Sequence, residues 1–165
     1  MSYQEKRTIT MISTGILLLA GFTLFAILRI QADPAILENL QLWAIATLVT
    51  IGIGIGATIV TQIVFHIVFA VSVAVVEERD HGKCEEGKVE TILKRETVED
   101  ERDKTIELKS NSVGYGFAGF GLILGLVLLA VSGSAIQLLF SLYGAFSVGS
   151  IVEGFVKLHL YRKGC

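Results

Sequence analysis

Gln62, His66 and Glu153 are the residues of this chain with chemistry to offer inside an apolar environment. Gln62 and His66 stand one helical turn apart in Leu42–Val76, a run of 35 residues without a charge, so they share a helix face. Glu153 sits near the end of another apolar run, one turn before Lys157. A carboxylate–imidazole pair away from water could carry a proton or hold a cation. The plainer alternative for His66 is a neutral imidazole bonded to a threonine, a glutamine or a backbone carbonyl. For Glu153 it is an i,i+4 ion pair with Lys157 worth about a few tenths of a kcal/mol.

Other chemistry finds little purchase. Haem ligation at His66 would need a symmetric second copy, because His81 falls in a charged segment and His159 near the polar end of the chain. His81-x-x-Cys84-Glu85-Glu86 lacks the second ligand pair of a zinc site. The Gly52-x-Gly54-x-Gly56 spacing is wrong for a dinucleotide loop, and no strand–helix–strand unit surrounds it. No Ser/His/Asp or Cys/His arrangement suggests a nucleophile. No cofactor is therefore expected, haem at His66 remaining as an alternative. Cys84 and Cys165 have no spacing of a disulfide and read as free thiols.

The elements that must position these groups are membrane helices. Apolar residues make up 52% of the 165. They come in long runs rather than periodic stripes, which excludes an ordinary soluble domain. A formal net charge of −2 leaves no basic face for a nucleic acid. The expected fold is all-α: an integral membrane four-helix bundle in one domain, with a charged, partly helical segment between helices 2 and 3. The spans are expected at 8–29, 42–76, 113–131 and 135–157. The first exceeds the apolar core of a signal peptide and is followed by no small-residue cleavage site, so it reads as retained.

Helix 2 is overlong. Its 35 uncharged residues would measure about 52 Å, against a hydrocarbon core of ~30 Å. It must therefore protrude or be interrupted, with a kink at Ile51–Gly56 the favoured reading because three glycines forfeit helix propensity there. Asp33-Pro34 reads as an N-cap with proline at the first helical position, starting helix 2 early. One face of helix 2 carries Gly54, Thr58, Gln62, His66, Ala70 and Ala74 at fourfold spacing, and is expected to look inward. Gly52, Gly54, Gly56, Gly121, Gly125 and Gly149 are the candidate helix-packing glycines. On helix 4, Ser141, Ala145, Gly149, Glu153 and Lys157 form a stripe of mostly small residues that ends in charge.

Residues 77–111 hold eight Lys/Arg and twelve Asp/Glu of the chain's 30 charges, so they must lie in water. Two helical pieces are plausible, Glu85–Glu96 and Thr97–Lys109, the second running into helix 3. Lys and Arg concentrate near the N-terminus, in this segment and in the tail, with Arg29 alone on the other side. The positive-inside rule then makes both termini cytoplasmic.

Asp100-Glu101-Arg102-Asp103-x-x-Ile106 before helix 3, Gln62–Ile67, and the ending Tyr161-Arg162-Lys163-Gly164 resemble an uncharacterised family of small four-span prokaryotic inner-membrane proteins. The resemblance covers residues 45–165 and implies a multi-pass protein of the prokaryotic cytoplasmic membrane. It brings no activity and no catalytic residue.

The function expected is a non-enzymatic, homo-oligomeric membrane module. Its partners would be the bilayer, further copies of itself, and a cytoplasmic protein that contacts the charged segment through Asp100, Glu101, Arg102 and Asp103. The alternatives are a transporter or channel built on the Gln62/His66/Glu153 track, and a haem-binding redox protein.

Overall fold

The computed structural model describes residues 3–81 and 100–163. Four helices make up nearly all of them: α1 (Tyr3–Ala32), α2 (Leu40–His81), α3 (Glu101–Ser132) and α4 (Ala135–Lys163). All four are long and apolar enough to cross a bilayer, which makes this an all-α, multi-pass membrane chain. The expected piece Glu85–Glu96, Cys84, Gly164 and Cys165 lie outside the described residues.

α2 is one helix of 42 residues, about 63 Å long. The backbone ladder continues through Ile51–Gly56, so the glycine run does not interrupt it. In hydrocarbon every unpaired N–H and C=O costs several kcal/mol, more than the ~1 kcal/mol that a glycine forfeits, and the helix survives its own sequence. Asp33 does cap a helical start, its side chain accepting from Ala35 N at 3.0 Å. What it starts is a separate 3-10 turn, Pro34–Glu38. α2 has its own cap, Asn39, which accepts from Leu42 N at 3.0 Å.

α3 likewise begins well before the hydrophobic run, at Glu101, and α4 continues to Lys163. Asp100 takes the N-cap of α3, accepting from Glu101 N at 2.7 Å. Glu101 and Asp103 fall in the first turn, where the helix dipole favours negative charge. Gly133 ends the helix at φ 69°, with its N–H donating to Leu129 O at 2.8 Å. That left-handed cap is what lets Ser132-Gly133-Ser134 reverse the chain so tightly.

The helices pack in a chain of neighbours rather than a closed square. α3 packs chiefly on α4, α4 also on α1, and α2 mainly on α1. The α3/α4 seam is the tightest. A Cβ at Gly121 would overlap that of Ala145, at Gly125 it would stand 2.8 Å from Leu138 Cδ1, and at Gly149 it would stand 2.9 Å from Phe117 Cβ. The small-residue stripe of α4 thus bears on α3, at an approach that side chains would forbid. Gly52 and Gly56 have no such neighbour, whereas Gly54 meets Leu18.

Candidate functional site

The polar residues foreseen from the sequence meet different partners. His66 pairs with Tyr3: the phenol oxygen lies 2.9 Å from Nδ1 and 3.1 Å from Nε2, and it donates to whichever nitrogen lacks a proton. Tyr3 is buried and also packs on Phe65 and Phe69, with ring centroids 5.3 and 4.7 Å apart. The residue that holds the imidazole is thus the first of α1, ahead of Lys6 and Arg7. His66 accordingly lies level with the start of α1, and its side chain is exposed. A haem at His66 would have to displace the Tyr3 bond.

Helical geometry explains the shift. Four residues turn a helix by about 40° more than a full turn, so a fourfold stripe winds around the axis. The face of α2 turned to α1 follows Trp43, Thr47, Gly54, Thr58, Phe65 and Phe69 instead. Gly54 and Thr58 belong to both lines; Gln62 is half-buried beside the face and His66 has rotated off it.

Glu153 faces α3. Asn111, its amide nitrogen turned toward the two oxygens around it, donates to Glu153 Oε1 at 2.7 Å and to Glu107 O at 3.3 Å. The other carboxylate oxygen rests over Gly114, where a Cβ would come within 2.5 Å of it. Lys157 reaches Glu107 Oε2 at 3.9 Å, so its ion pair crosses between helices. Ser110, fully buried, donates to Glu107 O at 2.9 Å. His66 and Glu153 therefore have separate partners, Tyr3 on α1 and Asn111 on α3. Neither partner was foreseeable: Tyr3 precedes His66 by 63 residues, and nothing in the spacing of Asn111 marks it as the donor to Glu153.

The acidic-arginine motif has a structural share as well. Asp100 is the cap; Glu101 and Arg102 are exposed and Asp103 half-buried.

The space in this fold lies between α2 and α4, with α1 as its floor. Two adjoining cavities of about 650 and 460 Å³ share Gly15, Leu18, Ile51, Gly54 and Ser150. Three of their threonines are turned inward upon their own helix: Thr47 donates to Trp43 O, Thr50 to Ala46 O, and Thr58 to Gly54 O, each at 2.8 Å. The groove therefore presents few donors, and it suits an apolar occupant better than a hydrated solute. Aromatic clusters join the helices beyond it on both sides. Trp43, fully buried, packs on Phe25 and Phe140 at 6.4 and 5.0 Å and donates from Nε1 to Ile36 O at 2.9 Å. On the other side Tyr3 clasps Phe65 and Phe69.

Comparison with protein-family models, with curated proteins and with solved structures gives no match.

Proposed function

We propose that this chain is a non-enzymatic membrane module that works as a homo-oligomer and presents a charged segment to a partner in the cytoplasm. The observation that carries the reading is the length of α2 and α3 on one side of the apolar layer. α2 continues from Val76, where its uncharged run ends, to His81, and α3 starts at Glu101, twelve residues ahead of the hydrophobic run. Both therefore lead into the charge-rich stretch as helical stalks. A rigid α3/α4 pair beside an α2 held mainly by two aromatic clasps is also an arrangement in which one stalk can shift against the other.

The resemblance carried by Asp100–Asp103 and Ile106 supports a prokaryotic inner membrane, and the distribution of Lys and Arg supports termini in the cytoplasm. The open faces of Gly52 and Gly56 suit close approach of a second copy. The polar-track alternative draws no support from His66 and Glu153, whose partners differ. Native mass spectrometry of the chain released from its membrane in a mild detergent tests the proposal. A homo-oligomer free of porphyrin or metal mass is the expected result. A monomer, or a retained porphyrin or metal, would overturn it.

A further inference from the structure

We draw no further inference here: the strongest candidate, the apolar groove between α2 and α4 above Gly15 and Leu18 of α1, carries none, because nothing in the structure shows what covers it.

Discussion

Ser141 of α4 donates its hydroxyl to the backbone carbonyl of Gly121 on α3 at 3.0 Å, and the next small residue of the same stripe, Ala145, sits where a Cβ of Gly121 would be. The two helices touch backbone to side chain with no room for a methyl group. Gly121→Ala is therefore expected to lower stability by about 1–3 kcal/mol through overpacking. Gly119→Ala, on the same helix with nothing within 4 Å, should be neutral or raise stability by up to about 1 kcal/mol through helix propensity. Melting followed by far-UV circular dichroism in one detergent compares them, and equal shifts would refute the seam described here.

The Asn111–Glu153 bond makes a second expectation. Asn111→Ala removes the donor to Glu153 Oε1 and leaves an acceptor between α3 and α4 without it, a loss of about 1–3 kcal/mol. Glu153→Leu in the Asn111→Ala background replaces the stranded carboxylate by an apolar group and should recover much of that loss. The double-mutant cycle would then give a coupling of at least ~0.5 kcal/mol. Strictly additive effects would show that the two side chains do not act together.

Asp100 belongs to the motif that the sequence singled out as a docking surface, and it also caps α3. Asp100→Ala should cost about 1 kcal/mol, whereas Asp100→Ser, which keeps a cap acceptor, should cost little. If partner binding is measured alongside, a residue acting only as a cap loses binding in step with helix stability and recovers both with serine. Binding lost in both variants, at retained stability in Asp100→Ser, would assign the carboxylate to the partner itself.

What could be read in advance followed from rules that hold locally. Uninterrupted apolar runs locate four membrane helices, and fourfold small residues on α4 locate a seam, because Ala145 and Gly149 are close enough in sequence for the helical drift to matter little. Over the longer stretch from Gly54 to Ala74 the same spacing winds off the packed face, which is why His66 is at the periphery. The helix continues through Ile51–Gly56 for another reason. Propensity measured in water undervalues a hydrogen bond that hydrocarbon makes obligatory. Partners such as Tyr3 for His66 and Asn111 for Glu153 depend on helix register, which composition and spacing do not encode.

Trp43 is the place where the attachment of α2 can be weighed. Its ring bridges α1 and α4 through Phe25 and Phe140, and its Nε1 donates to Ile36 O in the 3-10 turn, so two separable contributions meet in one side chain. Trp43→Phe keeps an aromatic ring and removes the donor, and should lose about 0.5–1.5 kcal/mol. Trp43→Ala removes the bridge as well and should lose about 3–5 kcal/mol, the range for deleting a buried large ring. Because α3 and α4 do not depend on Trp43 for their seam, the alanine variant should release α2 while leaving that pair folded. Cysteine-directed labelling at Thr47→Cys and at Ser141→Cys, with Cys84 and Cys165 replaced by serine, separates the two regions. Labelling that rises at position 47 and stays unchanged at position 141 would establish α2 as a separately opening element, whereas a rise at both would mean that the four helices open together.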